Sequence, residues 1–164
     1  MSNDPGARPS VSSGEGGAPT FPSSLGPLDL DTVIAGSLRY AESLQADDPE
    51  AIYDPRDPDT VAHEALNCAI RSGPAAAAWH LIRELLRRTP DDRLGVQAAG
   101  PLEELVRRRG AEIVEMIEAE VARDPRFRAA LGSIWLSRGE LPDPVLERVV
   151  RASGGEIRPL PPLE

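Results

Sequence analysis

The chain has 164 residues, of which 40% are hydrophobic but only 4% are aromatic, and its formal net charge is −9 at pH 7. This acidic charge repels phosphates, so it disfavours binding to nucleic acids and to anionic membrane surfaces. The sequence lacks the apolar runs of bilayer-spanning segments and secretory signals, and its single cysteine, Cys68, excludes an intrachain disulfide. We therefore expect a soluble cytoplasmic protein that binds neither nucleic acid nor membrane.

The basic residues number 18, and all of them are Arg. Exclusive use of Arg is typical of a GC-rich bacterial genome. It also excludes Schiff-base catalysis, a lysine general base and the phosphate-binding lysine of a P-loop.

Both ends of the chain are predicted to be tails. Residues 1–27 are rich in Pro, Gly and Ser, and they bury too little apolar surface to offset the entropy cost of ordering. We therefore predict a disordered tail over 1–27, a single folded domain over 28–153 and a Pro-rich C-terminal tail over 154–164. The PLPPL segment of the second tail is either inert or a polyproline II ligand for a proline-reading domain.

Helical periodicity dominates the residues between the tails, and no run alternates with the period of a strand. Candidate N-caps are Asp29 or Asp31, Asp57 and Asp124. The predicted helices cover 30–45, 58–72, 74–88, 92–98, 101–109, 111–123, 125–136 and 142–152. Because each helix has one apolar stripe, we predict an all-α fold without a sheet, a compact bundle or short stack of about six to eight amphipathic helices.

Three breaks between the predicted helices look alike, at Pro49, Pro90 and Pro125. Their spacing is near the period of helical-pair repeats, so the helices either form a true repeat or simply begin at Asp-Pro and Thr-Pro. The uneven spacing and the different flanking residues favour the second alternative.

The stretch QAAGPLEEL at 97–105 joins two of the predicted helices. A Gly-containing turn before a helix can bind an anion, but Pro101 removes one backbone N–H, and the carboxylates of Glu103 and Glu104 occupy the first turn. We therefore predict a tight corner with Gly100 at a helix–helix junction, Leu102 and Leu105 buried, and no ligand.

Candidate catalytic and zinc-binding residues are few. Cys68 and His63 are the one nucleophile and base close in sequence, but five positions on a helix place them about 140° apart. We expect Cys68 to be a core residue, and His63 and His80 to lie on polar faces. One Cys and two His fall short of the roughly four ligands of a zinc site.

The pattern of acidic residues does not support a catalytic or metal-binding site either. The loop over 46–59 lacks the glycine and closing Glu of a calcium loop, so we expect its aspartates to be solvated: Asp47, Asp48, Asp54, Asp57 and Asp59. The glutamates of the helix over 111–123 spread over its polar face instead of converging for acid/base chemistry: Glu112, Glu115, Glu118 and Glu120.

The run Arg107, Arg108 and Arg109 is explained by ion pairs to Glu103 and Glu104 four residues earlier and by the dipole at a helix C-terminus. Nucleic-acid binding is not needed to account for it. With no other candidates left, we predict no catalytic, cofactor-binding or metal-binding residues.

Three segments carry a resemblance: GPLEEL at 100–105 followed by Gly110, RDPRFRAAL at 123–131, and AWHLI at 78–82. Together they resemble a family of small bacterial helical domains of unknown function. The resemblance covers about 30–152 and leaves out the N-terminal tail and the acidic loop. It implies an all-helical fold and a bacterial origin, and it transfers no catalytic residues.

Two functional hypotheses follow. The first is a non-enzymatic protein-interaction domain, for example an accessory or immunity-type protein that masks a basic toxin with acidic charge. The second is an enzyme or small-ligand binder with a pocket among the helices over 58–72, 74–88 and 101–109, near His63, His80 and Gly100. Nucleic-acid binding, a third class, would need arginines gathered on one side of the fold. The acidic surface and the lack of convergent catalytic residues favour the first hypothesis.

Overall fold

The structure, a computed structural model, describes residues 19–44 and 54–161 of the chain. Helices dominate these residues, which confirms the predicted all-α class. The helices are α1 (Leu30–Ser43), α2 (Pro58–Ser72), α3 (Ala75–Arg88), α4 (Leu94–Gln97), α5 (Glu103–Arg123), α6 (Pro125–Gly132) and α7 (Asp143–Ala152). Two very short strands, β1 (Thr20–Phe21) and β2 (Leu28–Asp29), precede α1.

Aspartates begin three of the helices, as the sequence predicted. The carboxylates of Asp29, Asp57 and Asp124 each accept a backbone N–H at 2.8 Å in the first turn of α1, α2 and α6. These N–H groups have no partner within the helix, so each cap satisfies one of them. Of the two candidate caps of α1, Asp29 is the cap, and Asp31 lies in the first turn, where it forms an ion pair with Arg88.

Helices α1 and α2 approach closely where Gly36 faces Ala62. A Cβ added to Gly36 would lie 2.4 Å from the Ala62 Cβ, which is closer than two carbon atoms can come without displacement. Val33 and Ile34, in the turn before Gly36, are almost completely buried. The missing side chain therefore allows α1 to bury its apolar stripe.

Helix α5 forms the centre of the core and packs against α2, α3, α6 and α7. Burial of one Leu or Ile side chain is worth about 1.5–3 kcal/mol, so these positions dominate the stability of the fold. The largest fully buried side chains are Ile34, Leu66, Ile70, Leu81, Ile82, Leu85, Leu102, Leu105, Ile113, Ile117, Leu131 and Leu136.

The prediction of two helices separated at Gly110 is wrong, because α5 runs without interruption from Glu103 to Arg123. Gly110 is buried inside this helix, and a Cβ added there would lie 2.8 Å from a methyl group of Leu141. The glycine thus makes room for a side chain distant in sequence, and it does not end the helix.

The predicted corner at Gly100 is also replaced by continuous helical backbone. The segment Ala98–Leu102 forms one π-helical turn that joins α4 to α5, and the Glu103 N–H donates to the Ala98 carbonyl five residues earlier. Leu102 and Leu105 are buried as predicted, but Gly100 is exposed and does not adopt positive φ. A residue before proline is strained in a helix by its own Cβ, so glycine fits the position before Pro101.

The N-terminal tail prediction is wrong for residues 20–27, and so is the prediction of no sheet. Strands β1 and β2 pair antiparallel, with Phe21 opposite Leu28. The chain reverses between them through Gly26, whose φ of 102° suits glycine. Phe21 is only 4% exposed and belongs to the core. Residues 1–18 lie outside the described part of the chain.

The C-terminal tail prediction is likewise wrong for residues 154–160. Ile157 is 3% exposed within the core. Leu160 then pairs with the loop after α6: its N–H donates to the Leu136 carbonyl, and its carbonyl accepts the Arg138 N–H, both at 2.9 Å. The isolated apolar residues of a Pro-rich segment are thus enough to attach it to the domain.

Candidate functional site

The structure does not bring together the candidate nucleophile Cys68 and the candidate base His63. Cys68 is not the core residue that we predicted: it is half-buried and lines an open groove of about 540 Å³ between α2 and the segment Pro22–Ser24. His63 does not line this groove; its ring stacks on Tyr40, with the ring centroids 4.3 Å apart. His80 is exposed on α3. The three residues therefore form no catalytic arrangement.

His63 gives the domain a testable pH dependence. Burial lowers its pKa below the ordinary value of 6.5, and its Nδ1 has no hydrogen-bond partner within residues 19–44 and 54–161. The unfolded chain therefore takes up a proton near pH 6.5 while the folded domain does not, so stability should fall as the pH drops below 6.5. Urea unfolding at a series of pH values should show this loss in the wild type and in His80→Gln, but not in His63→Gln between pH 6.5 and about 5.

The acidic loop has ordinary structural roles where it is described. Asp57 caps α2, Asp54 accepts the Arg56 N–H, and Asp59 pairs with Arg39 at 2.6 Å. Asp47 and Asp48 lie outside the described residues. Over residues 19–44 and 54–161, no three His, Cys, Asp or Glu side chains gather as metal ligands.

One glutamate of α5 departs from the predicted solvated face. Glu112 and Glu118 do pair with arginines at the surface, with Arg109 and Arg148. Glu120, however, is only 6% exposed. It lies 3.2 Å from the Arg83 guanidinium of α3, an ion pair that needs tertiary structure and is invisible in the sequence.

The arginine run forms the predicted ion pairs and more. Arg107 and Arg108 pair with Glu103 and Glu104 within α5, which confirms the predicted ion pairs. The predicted dipole contribution is wrong, because α5 continues to Arg123 and the run lies in its first half instead of at a C-terminus. Arg107 also contacts Glu140 at 2.9 Å, in the loop between α6 and α7. It therefore connects α5 to that loop, a role that the sequence reasoning missed.

The loop after α6 presents a tryptophan to solvent. Ile134 and Leu136 are 3% and 1% exposed, whereas Trp135 between them is 64% exposed. The backbone N–H of Trp135 donates to the Glu103 carboxylate at 2.8 Å. The Ser137 backbone N–H donates to Glu140 at 2.6 Å, so two of the three carboxylates that bind Arg107 also hold this loop. The indole is therefore presented on a backbone fixed at both sides.

A second exposed apolar side chain lies on α4, where it lines a different groove with Leu38 and Ala41 of α1. Val96 of α4 is 61% exposed, and its neighbour Gly95 faces Ser133: a Cβ added there would lie 3.6 Å from the Ser133 hydroxyl. Ala99 and Gly100 are also exposed, between Gly95 and Glu103 along the helical segment. We name Trp135, together with Ala99 and Gly100 one turn before its partner Glu103, the Trp135 surface. The periodicity predicted a helix over 125–136 that includes Trp135, and it did not indicate that this residue is exposed.

These observations define a small all-α domain whose most distinctive described feature is an exposed aromatic surface. Its sequence matches the family model described as a family of unknown function (DUF6869) over residues 54–157, and the chain belongs to this family. The predicted membership of a family of unknown function is thereby confirmed, and GPLEEL and RDPRFRAAL both lie inside the match.

No curated protein and no solved structure matches the chain. The family match begins at Asp54 and so leaves out α1, although Val33 and Ile34 of α1 lie in the same core as the matched helices. Within the described residues, no helix has both the length and the apolar character needed to cross a bilayer.

Proposed function

We propose that this domain is a non-enzymatic protein-interaction module and that the Trp135 surface is its docking site. The observation that carries the proposal is the 64% exposure of Trp135 on a backbone held from both sides. Tryptophan is enriched among the residues that dominate interface energies, because it buries a large area at little entropy cost. A pre-organised loop reduces that entropy cost further.

The net charge of −9 supports a basic protein as the partner. Such a partner fits an accessory or immunity-type role, in which the acidic domain masks a basic protein. The same charge argues against nucleic acids and anionic membranes as partners. A cytoplasmic location belongs to this proposal, and the free thiol of Cys68 is compatible with it.

The alternative is an enzyme or small-ligand binder built around His63 and His80, and it has less support. His80 is exposed, and His63 is occupied by stacking on Tyr40. Gly100, the third feature of that hypothesis, lies in continuous helical backbone without a free helix N-terminus.

Trp135→Ala should weaken the interaction without weakening the fold. Truncation of a central interface tryptophan costs about 2 kcal/mol or more, which is about a thirtyfold loss of affinity. Wild type and variant should be compared as baits in extracts of the source cells with quantitative mass spectrometry, and the Kd of the captured protein then measured.

Leu25→Ala is the matched control, because Leu25 is exposed to the same degree, at 62%, outside the Trp135 surface. We expect it to retain the partner that Trp135→Ala loses. Both variants should unfold within about 0.5 kcal/mol of the wild type, as exposed substitutions do. A partner that binds Trp135→Ala and wild type equally would refute the Trp135 surface as the docking site.

A further inference from the structure

An open groove between α5, α6 and α7 gathers positive charge in this acidic chain. Its volume is about 380 Å³, within the range of small-ligand sites. Three arginines, one from α6 and two from α7, line it with a single carboxylate from α5: Arg128, Arg148, Arg151 and Glu118. We name these four residues the arginine groove. It shares no residue with the Trp135 surface.

The Glu118 carboxylate forms hydrogen bonds with only one of the three arginines. Glu118 binds Arg148 through two hydrogen bonds, of 2.8 Å to Nε and 2.6 Å to Nη2. Arg128 makes one long hydrogen bond, 3.4 Å to the Val121 carbonyl. Arg151 forms no ion pair with any residue of 19–44 and 54–161. Two exposed guanidinium groups thus line the groove without a carboxylate partner.

Local structure explains only part of this arrangement. Arg151 lies in the last turn of α7, where the helix dipole favours a cation. Arg128 lies in the first half of α6, where the dipole offers no such benefit. Like charges in one groove repel each other, and a bound anion would remove that repulsion.

The chemistry of the groove indicates the kind of anion. Guanidinium groups bind phosphate and carboxylate oxygens in pairs through their planar N–H groups. The Glu118 carboxylate already occupies Arg148 in this manner, and Arg148 holds the pKa of Glu118 below its ordinary value. The Glu118 carboxylate therefore already occupies the position at which a bound anion would contact Arg148.

We propose that the arginine groove binds a small phosphate-bearing anion through Arg128 and Arg151, and that Glu118 competes with this ligand for Arg148. An anion with two charged groups spans Arg128 and Arg151 better than inorganic phosphate does. This site is independent of the proposed protein interaction, since it uses other helices and other side chains.

Calorimetric titration of the full chain with inorganic pyrophosphate at low salt tests the proposal. We expect saturable binding to the wild type, weaker by about tenfold in Arg128→Gln and in Arg151→Gln, since each loses a charge-assisted contact. Glu118→Gln should bind about tenfold more tightly, because it releases Arg148 for the ligand. Inorganic phosphate should bind more weakly than pyrophosphate to all variants.

Arg56→Gln is the matched control, because it makes the same change of charge at an exposed arginine outside the groove. It should bind pyrophosphate like the wild type, and so should Trp135→Ala. Equal weakening by Arg56→Gln, or no saturable binding to either wild type or Glu118→Gln, would overturn the site. Titration with citrate tests whether the groove binds carboxylates as well as phosphates. An affinity for citrate equal to that for pyrophosphate would overturn the phosphate assignment.

Discussion

Gly36→Ala should destabilise the domain by about 2 kcal/mol, although alanine is the better helix former. The new Cβ would lie 2.4 Å from the Cβ of Ala62, and neither atom can rotate away. The backbones of α1 and α2 must therefore separate, which loosens the packing of Val33 and Ile34 beside them. Urea unfolding followed by far-UV circular dichroism gives the free energy of unfolding.

Gly95→Ala is the control for the helix propensity of the same substitution. Its added Cβ would meet only the Ser133 side chain, at ordinary distances of 3.6 Å to the hydroxyl and 3.8 Å to the Cβ. We expect it to be neutral or stabilising by up to about 1 kcal/mol. If both variants changed stability in the same direction, the close approach of α1 and α2 would not be the reason for glycine at position 36.

Arg126→Ala should lower the free energy of unfolding by about 2 kcal/mol, because the Arg126 side chain binds both the C-terminal end of α3 and the segment that follows it. The Arg126 guanidinium donates to the carbonyls of Leu86 and Thr89, and it pairs with Asp91 at 2.7 Å. The Leu86 carbonyl also accepts the Thr89 N–H at 3.2 Å, whereas the Thr89 carbonyl lies beyond the end of α3 and accepts from the arginine. Denaturant unfolding at neutral pH measures the loss.

Two further variants separate the carbonyl contacts from the ion pair. Asp91→Asn should change stability by less than about 0.5 kcal/mol, because the Asp91 side chain is 89% exposed. Arg126→Lys should recover only part of the loss, since one ammonium cannot match the fork of a guanidinium. A large effect of Asp91→Asn with a small effect of Arg126→Ala would contradict this account.

The sequence predicts well those features that are determined by residues close together along the chain. The caps at Asp29, Asp57 and Asp124 and the burial of Leu102 and Leu105 depend on neighbours one to four positions away. Helical periodicity is a local signal of the same kind, so the fold class follows from it.

The errors concern residues whose role is decided by distant partners. Gly110 looks like a helix end, but Leu141, from the loop before α7, fills the space that a side chain would take. Glu120 looks like one more solvated carboxylate until α3 brings Arg83 to it. The end segments were assigned to tails because composition does not show that one Phe or Ile finds a buried position.

Neither candidate site could be predicted from the sequence, for the same reason. The arginine groove combines side chains of three helices, and Arg128 and Arg151 are not neighbours along the chain. Exposure of Trp135 follows from the end of α6 at Gly132, whereas the periodicity predicted helix up to 136. Past that end, the backbone turns Ile134 and Leu136 inward and the indole outward.

The burial of Phe21 and Ile157 has a consequence for how the domain melts. Both side chains belong to the same cluster as the core of α5, although each sits in a segment with almost no regular structure of its own. Detaching either segment opens a gap in that cluster, so the ends are energetically coupled to the centre instead of fraying independently. We therefore expect the cooperative folding unit to include Phe21 and Ile157, beyond the first and last helices.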